Sequence, residues 1–294
     1  MPDLPAIVLR VSELGRSVAF YRDALGFTLA EHRPADDVAV IVDKDGDAML
    51  LAGPRATDLA PFTRPDPWLI KPSEALSYAS DDLDAVRARL AAHGVTSMRP
   101  ASMPWGDPAL DITDPDGYLL RYVLMLNRTP EQALALLNQG PGALDEALAG
   151  LSASDMDLAR APGEWTIRQI IGHLVDGDTL ILLPTVKMAL AESGRTRVAS
   201  RWNQDQWAGA LYATLEVAPS LALIRATRAY LTALLATHPD PWERFVLIAL
   251  ERTGGGSTEG PGRKRTVYEE VLTMATHTFE HVDEIRQTRA AHGR

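Results

Sequence analysis

The sequence contains no cysteine. This absence excludes disulfide bonds, thiolate metal ligands and a cysteine nucleophile. Any thiol chemistry would therefore depend on a thiol that comes from outside the chain.

Basic charge and long apolar runs are also scarce. The net charge of −10 divides into −6 over residues 1–128 and −4 over residues 129–294, so neither half has the basic surface that phosphate-backbone binding requires. No run of about 18 apolar residues occurs, and the first residues, MPDLPAIVLRVSELGRS, lack the basic start and apolar core of a signal peptide. We expect a cytoplasmic protein that has neither a nucleic acid nor a membrane as a partner.

Three histidines in the second half of the sequence form a candidate metal site. His277 and His281 are four residues apart in VLTMATHTFEHVDEIRQTR, and His173 lies in EWTIRQIIGHLVDGD. A His-x3-His pair alone is weak evidence, but both segments have the apolar periodicity of amphipathic helices. Histidines four residues apart share one helix face, and a third from an antiparallel helix would complete a three-nitrogen site with one open position.

Asp176 follows His173 by three residues, so it lies on the same face of the predicted helix. It is a candidate catalytic residue, which would either accept a hydrogen bond from a ligand ring or act on bound water. Alternatively, Asp176 is an ordinary polar residue on the helix surface. Imidazole ligands suit Zn, Ni and Fe, so the identity of the divalent metal stays open.

Residues 1–126 contain a degenerate internal repeat. AIVLRVSELGRSVAFYRDALGF (6–27) matches EALSYASDDLDAVRARLAAHGV (74–95), and both read as strand, acidic turn, amphipathic helix and terminating glycine. Each half ends in a hairpin signal, Asp45-Gly46 in the first and Asp116-Gly117 in the second. The predicted unit is a strand, a helix and three strands, used twice.

The composition changes after residue 126, and four main helices are predicted at about 130–149, 166–191, 218–236 and 266–290. Thr129, Thr166 and Thr266 are each followed three residues later by Gln or Glu, the pattern of a capping box. We find no convincing strand pattern between these helices. We interpret the glycine-rich stretch 251–265, which ends in three cations, as a solvated connector. The alternative is a cover that draws anionic substrates toward the metal. The predicted architecture is α+β with two domains, 1–127 and 128–294, the second an all-α four-helix bundle.

The first domain resembles the vicinal oxygen chelate superfamily, which includes glyoxalase I, bleomycin-resistance proteins and dioxygenases. The resemblance rests on LRVSELGRSVAFYRDALGF, on MPWGDPALDITDPDGYLLRYV and on the paired halves. At the three positions where metal-binding members carry ligands, this sequence has Ala6, Ala75 and Arg121, so the resemblance implies a metal-free domain. Arg121 and Trp105 are then candidate contacts for an anionic or polar small molecule. The alternative is a surface or salt-bridge role for Arg121 and a structural role for Trp105.

The second domain resembles the DinB-like four-helix metalloproteins, which include mycothiol-dependent maleylpyruvate isomerase and the bacillithiol transferases. The resemblance rests on APGEWTIRQIIGHLVDGD, RWNQDQWA and THTFEHVDEIR, and it places His173, His277 and His281 on the three metal ligands of the family. It implies a metal-dependent enzyme for a small electrophilic substrate, with thiol-dependent transferase or isomerase chemistry, or hydrolysis. A low-molecular-weight thiol would be the cosubstrate. The alternative is a protein that sequesters a small molecule and holds a structural metal, and a homodimer is expected by resemblance only.

Overall fold

A computed structural model of the protein describes residues 4–44, 46–65, 67–70, 75–199, 203–251 and 258–294. The chain divides into two compact units, Met1–Leu126 and Asn127–Arg294. Within the described residues, none of the helices combines the length and the apolar character needed to cross a membrane.

The first unit contains two βαβββ modules. The first module consists of β1 (Ile7–Arg10), α1 (Leu14–Ala19), β2 (Thr28–Arg33), β3 (Val38–Val42) and β4 (Ala48–Ala52). After the short β5 (Trp68–Leu69), the second consists of β6 (Ala75–Ser80), α2 (Leu83–Ala92), β7 (Met98–Ser102), β8 (Pro108–Thr113) and β9 (Leu119–Leu124). The sheet orders are β2-β3-β4-β1-β5 and β6-β9-β8-β7, which confirms the predicted repeat.

Side chains in the second sheet alternate between a core face and an opposite face, as the period of a strand requires. Leu110 and Leu120 point into the main core of this unit, whereas Asp111 and Arg121 are paired across β8 and β9 on the other face. Both predicted hairpins are antiparallel pairs. The predicted turn residue Asp45 lies outside the described residues, and Gly117 has a φ of 92°, a conformation that favours glycine.

The second unit is built around four long helical segments. They are α3 (Pro130–Leu148), α4 (Ile167–Asp176) continued through a π-helical turn (Gly177–Leu182) into α5 (Leu183–Ala191), α7 (Val217–Ala236) and α8 (Val267–Ala291). The three predicted capping boxes are all formed, each with a threonine side chain that accepts a hydrogen bond from the backbone three residues on. The helix prediction and the α+β fold class are confirmed.

The prediction that no strands lie between these helices is wrong. β10 (Thr196–Ala199) pairs in parallel with β11 (Phe245–Glu251), which pairs antiparallel with β12 (Thr258–Thr266). β12 takes up most of the stretch interpreted as a connector, while residues 252–257 lie outside the described residues. The sequence TEGPGRKRT has little intrinsic strand preference, so its pairing with the apolar β11 decides its conformation. Gly262 is required there, because a Cβ would lie 2.9 Å from the Ile248 carbonyl oxygen.

A buried ion pair lies inside the helical bundle. The side chains of Arg228 on α7 and Asp178 in the π-helical turn are each 1% exposed, and their two hydrogen bonds measure 3.0 and 3.2 Å. Arg228 also donates to the Thr278 hydroxyl at 2.7 Å and to the Leu137 carbonyl at 3.0 Å. This network connects α3, α7, α8 and the π-helical turn. Gly140 gives it room, because a Cβ at that position would lie 2.4 Å from Nη1 of Arg228.

We expect Gly140→Ala to destabilise the protein by about 1–3 kcal/mol, the usual cost of overpacking a buried site. The same Cβ would also lie 2.9 Å from the Thr278 methyl carbon, and Arg228 cannot move aside without losing its buried hydrogen bonds. Gly142 in the same helix is the matched control, because its Cβ would meet nothing within 4 Å. Gly142→Ala should stabilise by about 0.5–1 kcal/mol through helix propensity. Urea unfolding measures both, and equal effects of the two substitutions would contradict the packing assigned to Gly140.

Candidate metal centre

His173 enters the site from α4, whose start is fixed by the capping box at Thr166. The helix is strongly amphipathic, and Ile167, Ile170 and Leu174 are buried around the histidine. The His173 side chain is itself buried, at 8% exposure. Its position is thus set by a helix that has a defined start and one apolar face against the core.

His277 and His281 enter from α8, one turn apart on one face, as their spacing predicts. Nε2 of His277 lies 3.1 Å from Nε2 of His173 and 3.1 Å from Nε2 of His281. One ligand nitrogen from each ring falls within 4.8 Å of the other two. The structure therefore brings together the three histidines that the sequence predicted, from two separate helices.

Close contact between the helices brings the rings into reach. Gly177, at the start of the π-helical turn, faces α8, and a Cβ there would lie 2.6 Å from the Met274 methyl carbon and 3.8 Å from the His277 ring. Gly172 similarly faces the Tyr212 ring, where a Cβ would approach to 2.3 Å. Two glycines that flank His173 thus let α4 and its continuation pack closely against their neighbours.

The environment keeps the rings of His173 and His277 neutral. Burial, together with the nearby His281, lowers the pKa of His173 to about 3. Burial, with the two neighbouring histidines, holds the pKa of His277 well below its ordinary value. Neutral imidazole is the form that binds a metal, because only this form keeps a lone pair on the ligand nitrogen.

The three nitrogens fit a metal ion better than they fit a hydrogen-bond network. Nε2 of His277 carries either one proton or one lone pair, so it cannot form two well-directed hydrogen bonds to the other rings. At metal–nitrogen distances of about 2.0–2.1 Å, two ligands lie about 2.9 Å apart at a right angle and about 3.4 Å apart at the tetrahedral angle. The observed 3.1 Å separations fall within that range. The cluster therefore supports a divalent metal, and its chemistry does not choose among Zn, Ni and Fe.

Two neighbours of the cluster were not predicted from the sequence. Nδ1 of His281 lies 2.9 Å from a carboxylate oxygen of Glu284, which can fix the ring orientation. The indole of Trp165 lies with its centroid 4.8 Å from that of His173 and 6.4 Å from that of His281. The three-residue spacing from His281 to Glu284 was a usable signal, because it places both on one helix face. Nδ1 of His277 is buried and has no hydrogen-bond partner within the part of the chain that is described.

Asp176 is buried near the cluster but contributes no oxygen to it. Its Oδ1 accepts a hydrogen bond of 2.5 Å from the Tyr212 hydroxyl, and not from a histidine ring. Burial raises the pKa of the Asp176 carboxyl, and burial together with this hydrogen bond raises the pKa of Tyr212. The catalytic role of Asp176 stays a prediction.

Arg121 and Trp105 belong to the first unit. The Arg121 guanidinium makes a bidentate ion pair with Asp111, at 2.6 and 2.9 Å, so a carboxylate of the protein already meets this cation. Trp105 donates its indole N–H to Asp107 at 2.8 Å and packs beside Met103. The ligand-binding role proposed for these two residues stays a prediction.

The RWNQDQWA segment (201–208) lies in the chain between the second and third of the four long helical segments. Trp202 lies outside the described residues, while Asn203 caps the short helix α6 (Gln204–Trp207) by accepting a hydrogen bond from the Gln206 backbone. Asp205 on this helix accepts the indole N–H of Trp165 at 2.8 Å. The segment therefore contacts a residue that touches the histidine cluster.

Comparison with known proteins finds two families in one chain. Residues 136–285 match the DinB superfamily, and residues 3–122 match the Glyoxalase/Bleomycin resistance protein/Dioxygenase superfamily. A protein of Bacillus licheniformis, named as a candidate metal-dependent hydrolase, is 25% identical over 169 residues, which cover 56% of this chain and 88% of that protein.

Two solved structures are among those to which parts of the chain are similar. YfiT from Bacillus subtilis, described as a candidate metal-dependent hydrolase with an unusual four-helix bundle topology, is 21% identical with a TM-score of 0.47 and covers 57% of this chain and 92% of that one. TnmS3, an antibiotic-binding protein from Streptomyces sp. CB03234, is 23% identical with a TM-score of 0.32 and covers 42% of this chain and 95% of that one.

Proposed function

We propose that the chain is a metal-dependent enzyme for a small electrophilic substrate. It belongs to the DinB superfamily and carries a glyoxalase/bleomycin-resistance domain N-terminal to the DinB domain in sequence. His173, His277 and His281 are the proposed ligands. Such a site can activate two nucleophiles, water and an external low-molecular-weight thiol.

One observation carries this proposal. Among the described residues, the cluster of candidate ligand atoms contains three histidine nitrogens and no carboxylate. Structural zinc sites normally use four protein ligands, whereas catalytic sites keep a position for water or substrate. Three neutral rings also leave the charge of a divalent ion uncompensated, so the set favours catalysis over a structural role.

A divalent metal in such a site, when bound, supplies a Lewis acid that lowers the pKa of a coordinated water or thiol. Side chains of the protein keep the ligands neutral, orient their rings and move protons. His173 and His277 are held neutral by burial, and Glu284 accepts a hydrogen bond from His281 to fix its ring. The Asp176–Tyr212 pair is the proposed site that accepts or returns a proton during turnover.

Water and thiol are favoured by different observations. The named function of the Bacillus licheniformis relative favours hydrolysis. The absence of cysteine favours an external thiol, because no internal thiol competes for the open position. Transferase or isomerase chemistry would follow from the thiol, and both alternatives use the same three histidines.

The first unit is proposed to bind a small molecule on the sheet face that carries Arg121. The apolar residues Met103, Ala109 and Val123 cluster on this face together with Trp105, and Asp111 shares it with Arg121. A half-buried ion pair beside apolar side chains suits a ligand that has both a polar and an apolar part. We further propose that the protein acts in the cytoplasm as a homodimer.

The test is turnover by full-length protein stripped of metal and reloaded with Zn²⁺, Ni²⁺ or Fe²⁺. Activated esters and amides test hydrolysis, and epoxides or unsaturated acids with added thiols test transfer and isomerisation. We expect activity only in the reloaded protein, with His281→Ala inactive. His292→Ala should remain active, because His292 is exposed beyond the end of the same helix. Unchanged turnover in the stripped protein would contradict the metal-dependent mechanism. Absence of turnover in every reloaded form would instead favour a sequestering protein with a structural metal.

A further inference from the structure

Trp165 contacts two rings of the histidine cluster that come from different helices. Its indole is tilted by 54° against His173 of α4, with centroids 4.8 Å apart, and nearly parallel to His281 of α8, at 20° and 6.4 Å. These separations are typical of interacting aromatic pairs. One side chain therefore touches both outer members of the cluster.

A second contact holds the indole from the other side. Its Nε1–H donates to Oδ1 of Asp205 at 2.8 Å, and Asp205 lies on the short helix α6. Trp165 directly precedes the N-cap Thr166, where an apolar residue often packs against the first turn of the helix. That packing requires only an apolar side chain. The hydrogen bond from the indole N–H to Asp205 also fixes the angle of the indole plane.

Orientation of the rings determines whether the three nitrogens meet at one point. A histidine ring rotates about two side-chain torsions, and rotation of either outer ring moves its Nε2 away from that of His277. Glu284 restrains His281 at Nδ1, and Trp165 restrains the ring faces of both His281 and His173. Partners outside the ligand set that orient the ligands typically change metal affinity by about 10–100-fold.

We propose that Trp165, held by Asp205, is a positioning residue that sets the ring orientations of His173 and His281 for metal binding. The inference rests on the metal site of the proposed function and adds a pair of residues to it. Because Asp205 lies on α6, the position of this short helix determines where the indole of Trp165 is held beside the cluster.

Metal affinity of the full-length protein tests this inference, measured by competition of a chromophoric chelator for Zn²⁺. Trp165→Leu keeps an apolar side chain before the N-cap but removes the ring, so it should lose about tenfold in affinity. Trp165→Phe keeps a ring without the N–H and should fall between Leu and the wild type. Asp205→Ala should lose about threefold, and Asp205→Asn should stay near the wild type, because its amide oxygen still accepts the indole N–H.

Two further measurements separate positioning from general stability. Thermal unfolding of the metal-free variants should match the wild type to within a few degrees, and Trp68→Leu, which removes an exposed indole from the first unit, should leave affinity unchanged. The visible spectrum of Co²⁺-loaded protein should shift in Trp165→Leu, because a rotated ring changes the ligand field.

The outcomes are distinguishable from those of the proposed function, because affinity and spectra do not depend on turnover. Metal binding without catalysis in the wild type would remove the proposed enzyme and leave the positioning role standing. Wild-type affinity and an unchanged Co²⁺ spectrum in Trp165→Leu would overturn the positioning role.

Discussion

His277→Ala is expected to abolish stoichiometric metal binding by the full-length protein. His277 is the central member of the cluster, since its Nε2 is the atom that lies 3.1 Å from both other ring nitrogens. Apparent binding energies of about 10–16 kcal/mol for four-ligand zinc sites correspond to about 2.5–4 kcal/mol per ligand. Removal of one ligand should therefore weaken binding by about 70- to 900-fold. Elemental analysis after dialysis against a weak chelator measures the loss.

His292→Ala is the control, because it removes a histidine near the end of the same helix but outside the cluster. It should retain about one metal per chain. Circular dichroism should show the same helix content for both variants, because α8 keeps its capping box at Thr266. Retention of stoichiometric metal by His277→Ala would show that the metal binds elsewhere and would remove the proposed ligand set.

Arg228→Met should destabilise the protein by about 3–5 kcal/mol, because it leaves the Asp178 carboxylate buried and without its partner. Both side chains of this ion pair are 1% exposed, so water cannot replace the lost hydrogen bonds. A typical domain has only about 5–15 kcal/mol of stability in total, so the loss should be conspicuous in urea unfolding.

The double variant Arg228→Met/Asp178→Leu tests whether the cost comes from the unpaired charge. Replacing both charges by apolar side chains removes the desolvation penalty, so most of the loss should be recovered. A surface pair provides the comparison: Arg225 and Asp145 are 45% and 51% exposed, and Arg225→Met should change stability by less than about 1 kcal/mol. If the double variant is no more stable than Arg228→Met, the unpaired charge is not the source of the loss.

The sequence by itself determined the elements that follow from local rules. The capping boxes at Thr129, Thr166 and Thr266 mark helix starts, because their hydrogen bonds join residues only three positions apart. The four-residue spacing of His277 and His281 fixed their common helix face for the same reason. The paired βαβββ modules were also visible, since each hairpin signal lies between strands that are neighbours in sequence.

Tertiary structure decided the features that depend on residues far apart in the chain. The glycines and charged residues of β12 give no strand signal in the sequence. The segment is a strand because it pairs with β11. Asp205 and Trp165 are 40 residues apart, and Asp178 and Arg228 are 50 apart, so no periodic pattern connects either pair. Asp176 shares a helix with His173, yet its hydrogen bond goes to Tyr212. Spacing along one helix sets which face a side chain occupies, whereas its partner is set by the segment that packs against that face.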